Sequence, residues 1–231
     1  MFDLDQFIAD LRAALAERSR QALKEVVARA VSDPASLLRR IGEPGQPAVR
    51  VLHQGSDLTV LNVVWAPKQV TLPHDHRMSA VIGMYGGRED NTFWRRVSNP
   101  TKFQIEPAGG QALGLGDVTL LGRDVIHSVL NPLTKISAAI HVYDGEFLTA
   151  QRSMWDAETL VEGGLRDLRR ALLSRPQSAG RTRDELASRG HRREVDGGAR
   201  RQVPTVDYQL AATSPQIVDS LGCLSGMVSW A

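Results

Sequence analysis

The chain has 231 residues, 42% of them hydrophobic and 23% charged, with a formal net charge of +2. That length can bury one sizeable core, with or without an extension, and the near balance of charge argues against a strongly charged partner such as nucleic acid. The single cysteine, Cys223, excludes an intrachain disulfide, so a reducing compartment is expected. The opening "MFDLDQFIAD" lacks the basic and apolar regions of a signal peptide, and no apolar run is long enough to span a bilayer. A cytoplasmic protein is expected.

Residues 2–41 read as helices. Phe2, Leu4, Phe7, Ile8, Leu11 and Leu15 recur at helical spacing, and Asp3 followed by Gln6 has the form of a capping box. Leu23, Val26, Val27 and Ala30 continue the pattern in a second segment. Asp33-Pro34 supplies an N-cap and a proline at the first helical position of a third, which Gly42 closes.

The texture changes between Val49 and Phe147. Short β-branched runs alternate with Gly, Pro, Asn and Asp: "VRVLHQ", "LTVLNVVW", "MSAVIGMY", "NTFWRRV", "TKFQIEP", "DVTLL", "VIHSVL" and "ISAAIHVY". Such closely spaced strands predict an all-β sandwich or barrel, and the absence of strand-helix alternation argues against a parallel sheet. Residues 155–174 return to a helical pattern, with Leu165, Leu168, Leu172 and Leu173 as its apolar stripe. Beyond Pro176 the chain is rich in Arg, Gly, Ser and Asp, the composition of a mobile extension, until a final apolar stretch. The expected organisation is one domain over residues 1–175 and a flexible extension over 176–231.

Chemistry concentrates in the histidines. His74 and His76 stand two apart in "LPHDHRMSAVIGMYGG", so on a strand both imidazoles share a face and Asp75 points the other way. That spacing excludes the His-x-Asp pair of two-histidine, one-carboxylate iron oxygenases. Imidazole is the commonest metal ligand, and a third candidate, His127, sits in "VIHSVL" on a strand of its own. In a barrel, distant strands can bring inward residues to one point. The competing reading is three core or exposed histidines. His53 and His191 are read as structural or exposed, and Trp65, Trp94 and Trp155 as packing residues.

These residues carry a resemblance. His74, His76 and Gly87 match the first motif of the cupin superfamily, and Gly116, His127 and Asn131 match the second. The motif's glutamate position falls near Ala80 or Val81, and its Pro-x-Gly turn is replaced by Gly122-Arg123-Asp124. The resemblance covers about residues 48–150 and implies a mainly β fold, a double-stranded β-helix, here preceded by N-terminal helices. Three histidines without the carboxylate resemble the thiol dioxygenases, cysteine dioxygenase and the bacterial 3-mercaptopropionate dioxygenases. His141-x-Tyr143 stands where that family has a His-x-Tyr pair, although the serine two residues earlier is Ala139 here. Val81 stands where animal enzymes have a crosslinking cysteine.

The resemblance implies Fe(2+) held by His74, His76 and His127, with O2 and a small carboxylated thiol as substrates and a sulfinate as product. It implies catalytic roles for Tyr143 and His141, and a carboxylate-binding role for Arg50 at the head of the strand leading towards Trp65, where a guanidinium would form a bidentate pair. No nucleic acid, membrane or specific protein partner is expected. Two alternatives stay open: a metal-binding cupin of another activity, and a non-enzymatic small-molecule-binding cupin, since one fold hosts many functions. Groups converging on the metal decide between them.

Overall fold

The computed structural model describes residues 1–97 and 104–164. Three helices come first: α1 (Leu4–Ala16), α2 (Arg20–Ser32) and α3 (Pro34–Ile41). Each begins where a side chain satisfies a free N–H of the first turn: Asp3 accepts from the backbone N–H of Gln6, Ser19 from that of Ala22, and Asp33 from that of Ser36. Gly42 ends α3 with φ near 85°, a conformation that costs glycine no Cβ clash.

Eleven strands follow among the described residues: β1 (Ala48–Gln54), β2 (Thr59–Trp65), β3 (His74–Asp75), β4 (Ala80–Gly86), β5 (Glu89–Arg96), β6 (Ile105–Leu113), β7 (Val118–Leu121), β8 (Ile126–Leu130), β9 (Ser137–Tyr143), β10 (Ser153–Trp155) and β11 (Glu162–Gly164). They form two antiparallel sheets in the orders β1-β2-β9-β4-β7 and β11-β10-β3-β8-β5-β6. From β2 to β5 and from β6 to β10 successive strands cross between the sheets, the double-stranded β-helix arrangement expected from the sequence.

The expected helix over 155–174 is corrected in its first part. Trp155 ends β10, and β10 pairs with β11 through Met154 opposite Gly163 and Trp155 opposite Glu162. Ser153, Met154 and Trp155 are all buried, Trp155 completely; burial on both faces suits a short strand and gives no helical stripe. Residues 165–174 and the extension from 176 lie outside the described residues.

The five-stranded sheet is covered on both faces. On β9, Ala138, Ile140 and Val142 belong to the core beneath the helices, while Ala139 and Tyr143 belong to the core between the sheets. On β4, Val81 and Tyr85 likewise face the helices while Ala80, Ile82 and Met84 face inward. Burial on both faces is why β2, β4 and β9 read as continuous apolar runs rather than alternating ones. Helix α2 comes so close at Gly83 that a Cβ there would lie 2.5 Å from a Val27 methyl. The six-stranded sheet has β6 as one edge, exposed from Pro107 to Ala112.

Candidate metal centre

His74 and His127 are cross-strand partners in the β3–β8 pair, an arrangement that brings side chains on one face close together. His76 stands just beyond β3, before a turn in which Arg77 has φ of 57°. The ligand atoms of His74, His76 and His127 all lie within 4.8 Å of one another, and His127 Nε2 is 3.1 Å from His76 Nε2. Asp75 points the other way, as period-two alternation requires. Its buried carboxylate accepts from the Ser153 N–H at 2.9 Å and pairs with Arg77 Nε at 2.8 Å. The strand carrying the histidines is only two residues long and belongs to the six-stranded sheet. The apolar run after it is β4 of the other sheet.

Hydrogen bonds set which ring nitrogens are free. His74 Nδ1 donates to the Leu72 carbonyl at 2.8 Å, leaving Nε2 as the lone pair. His127 Nδ1 meets Asn91 Oδ1 at 2.7 Å. Asn91 must present its oxygen there because its Nδ2 donates to Glu89 at 3.0 Å. Burial lowers the pKa of His74 to about 4. Burial, then the neighbouring imidazoles, holds His76 and His127 well below the usual histidine value. Three neutral imidazoles therefore converge, with Nε2 of His74 and His127 left as lone pairs and His76 Nε2 facing that of His127, a donor set that fits a divalent first-row cation. Among the described residues no carboxylate joins the group.

The histidines line a cavity of about 80 Å³ between the sheets. Its walls include Val49, Leu61, Val63 and Trp65. Tyr143 and His141 enter from β9, with the Tyr143 hydroxyl 3.2 Å from His141 Nδ1. Burial lowers the His141 pKa to about 3 and raises that of Tyr143. The pair is an uncharged imidazole and a phenol sharing one proton between Oη and Nδ1. The Tyr143 ring stacks on Phe147 at 3.7 Å and meets His76 edge-on at 5.1 Å, which puts the pair beside the three-histidine group.

Arg152 also lines this cavity. Its guanidinium carbon lies 4.0 Å from the Phe147 ring centroid, a cation–π contact, and its Nε has no hydrogen-bond partner. Arg152 is partly buried, and burial pulls its pKa down while Tyr143 and Asp75 hold it up. Its position is fixed by its neighbour, since Ser153 is bonded to Asp75 between the two histidines.

Arg50 does not serve the cavity, a correction to the sequence expectation. It is exposed, and its guanidinium donates to the Ile41 carbonyl at the end of α3. Alternation along β1 explains this: Val49 faces the cavity, while Arg50 shares the helix side with Leu52. Val81 likewise packs under the helices and not beside Tyr143, and Trp65 is a cavity wall and not simple packing. His53 is a surface residue beside Arg12, as expected, while His191 lies outside the described residues.

Sequence reading missed Glu89, Asn91, Phe147 and Arg152. Glu89 and Asn91 offer the sequence only two polar residues at strand spacing; that both are buried at 3% exposure or less is a fact of the structure. Arg152 has none, because it falls between the last expected strand and the helix expected from residue 155.

No family model matches the chain. Among solved structures, it is similar to an uncharacterised conserved protein with a double-stranded β-helix domain from Klebsiella pneumoniae, at 15% identity and TM-score 0.36, over 48% of this chain and 81% of that one. It is also similar to an RmlC-like cupin family protein from Methanocaldococcus jannaschii, at 13% identity and TM-score 0.35, over 44% and 82%. A third similarity is to oxalate decarboxylase of Bacillus subtilis, at 17% identity and TM-score 0.32, over 40% of this chain and 22% of that one. These likenesses bear on the fold alone.

Proposed function

We propose that the protein is a non-haem iron thiol dioxygenase that converts a small carboxylated thiol and O2 to the sulfinate. The observation that carries this reading is the meeting of three neutral imidazoles with the guanidinium of Arg152, whose Nε has no hydrogen-bond partner, in one small cavity walled in part by apolar side chains. A divalent iron held by His74, His76 and His127 would supply the acidity that ionises a thiol and the redox chemistry that lets dioxygen react with sulfur.

The chain's own residues do the rest. Arg152 pairs with the substrate carboxylate and so fixes the far end of a short thiol. Leu61, Val63 and Trp65 exclude water, which strengthens that pair. Tyr143 Oη, oriented by His141 Nδ1, exchanges a hydrogen bond with the oxygens arriving at sulfur. Atoms balance without another reductant: RSH and O2 give RSO2H, with both oxygen atoms on sulfur and no leaving group.

The test is oxygen uptake by the iron-loaded protein against a panel of small thiols, with products identified by mass. One O2 consumed per sulfinate formed, confined to thiols bearing a carboxylate, is the expected result. Uptake without sulfinate, or binding of iron with no thiol turnover, would leave a metal-binding cupin of another activity as the better reading.

A further inference from the structure

The buried acid Glu89 is used by none of the chemistry above. It stands on β5, wholly inaccessible, and its two oxygens take two different donors. Trp65 Nε1 donates to Oε2 at 2.9 Å, and Asn91 Nδ2 donates to Oε1 at 3.0 Å. Asn91, two residues along the same strand, then has only its carbonyl oxygen to offer His127 Nδ1, at 2.7 Å. The order of groups is therefore carboxylate, carboxamide, imidazole, with every link running donor to acceptor in one sense.

That sense matters because a neutral imidazole has one N–H and one lone pair. If Asn91 presents an acceptor, His127 carries its proton on Nδ1 and keeps Nε2 free for a metal. If Asn91 were turned over, its NH2 would face Nδ1, the proton would move to Nε2, and the nitrogen aimed at the cation would become a donor. Asn91 cannot choose for itself, since its amide has both kinds of group. Ionised Glu89 makes the choice, because both of its oxygens then accept; burial pushes its pKa up, and the hydrogen bonds donated by Trp65 and Asn91 pull it back.

We propose that Glu89 is a positioning residue that sets the tautomer of His127 through the orientation of the Asn91 amide, and thereby the affinity of the three-histidine centre for metal. This rests on the metal centre, not on the thiol reaction, so turnover is not the readout.

The chain of donors suggests a swap. In Glu89→Gln, one oxygen can still accept from Trp65, but the other position becomes an NH2. Asn91 must then turn its oxygen towards it and its own NH2 towards His127. In the double variant Glu89→Gln, Asn91→Asp, the new NH2 of residue 89 donates to the new carboxylate, which again offers His127 an acceptor. The swap restores the sense of the chain while keeping the side-chain sizes.

Two measurements test this: Co(2+) affinity by competition with a chelator, and the ring 15N shifts of His127 in the metal-free protein. Glu89→Gln is expected to lose about ten- to hundredfold in affinity, the usual cost of disturbing a ligand's hydrogen-bond partner, with His127 carrying its proton on Nε2. The double variant is expected to return to within about threefold of wild type, with the proton back on Nδ1. A Glu89→Gln protein that keeps both affinity and tautomer would overturn the proposal, as would a double variant no better than the single one. If wild type itself binds no cobalt, the metal centre fails, while the 15N shifts still report whether Glu89 sets the tautomer.

Discussion

The two faces of the five-stranded sheet are equally buried and chemically opposite. On β9, Ile140 is fully buried and Val142 nearly so, against α1–α3; His141 and Tyr143, on the same strand and just as inaccessible, face the cavity. The helix face is apolar, with one polar pair, Tyr85 donating to Asn62 at 2.7 Å. The cavity face and its rim leave His141 Nε2, Ser137 Oγ and Arg152 Nε without partners. An unsatisfied buried polar atom costs about 1–3 kcal/mol. The fold therefore carries destabilising groups on one face and offsets them with close packing on the other. Burial by itself does not separate structural residues from functional ones; the state of their polar atoms does.

That contrast can be broken from either side. The largest effect is expected from His127→Ala on the cavity side: a loss of more than about a hundredfold in metal affinity, beyond what partner residues cost, with the metal-free protein still folded by circular dichroism. Ile140→Ala, on the helix face of the other sheet, should do the reverse. It should lower stability by about 2–5 kcal/mol in denaturant unfolding and leave metal affinity of the folded protein unchanged.

Arg152→Gln sharpens the comparison within the cavity. It removes a charge-assisted pair worth about 1.5–3 kcal/mol, so KM for a carboxylated thiol should rise about ten- to hundredfold by that measure. A thiol without a carboxylate should be almost unaffected. Equal loss for both would make Arg152 a packing residue. Arg50→Gln, on the helix side of β1, should change neither.

The two faces should also separate by pH. His141, held near a pKa of about 3, and His74, near about 4, are neutral when folded and take up protons when unfolded below the usual value of 6.5. The unfolded chain therefore binds more protons as pH falls from about 6.5 towards 4, so stability of the metal-free protein is present above that window and lost within it. The slope is up to about 1.4 kcal/mol per pH unit for each such histidine. Urea unfolding at pH 7 and pH 5 measures it, and His141→Gln should make the difference smaller. Equal stability of wild type at both values would mean that these histidines are not buried neutral.

The smallest expected effect concerns the carboxyl-terminal extension. Ending the chain near Ser174 should leave cobalt affinity unchanged within error, because every residue of the centre precedes β11. Loss of metal or precipitation would make the extension part of the fold.

The sequence by itself determined a good deal. Capping at Asp3 and Asp33 and the stripe from Phe7 to Leu15 are local signals, and local signals are enough for α1 and α3. Turn residues delimited most strands to within a few positions, and His-x-His with a third strand histidine picked out the three imidazoles that the structure brings together, although His76 lies just beyond the two-residue strand. Tertiary structure decided the rest. Arg50 and Val49 differ only in which side of one strand they take, and the pairing of β1 with β2 decides that. Arg152 gains its place through the Asp75–Ser153 bond between strands 78 residues apart, and the place of Trp155 in a strand rather than a helix follows from docking β10 beside β3. Glu89 and Asn91 become legible as a chain of hydrogen bonds only once β5 lies beside β8, where a buried amide has a single orientation that satisfies both neighbours.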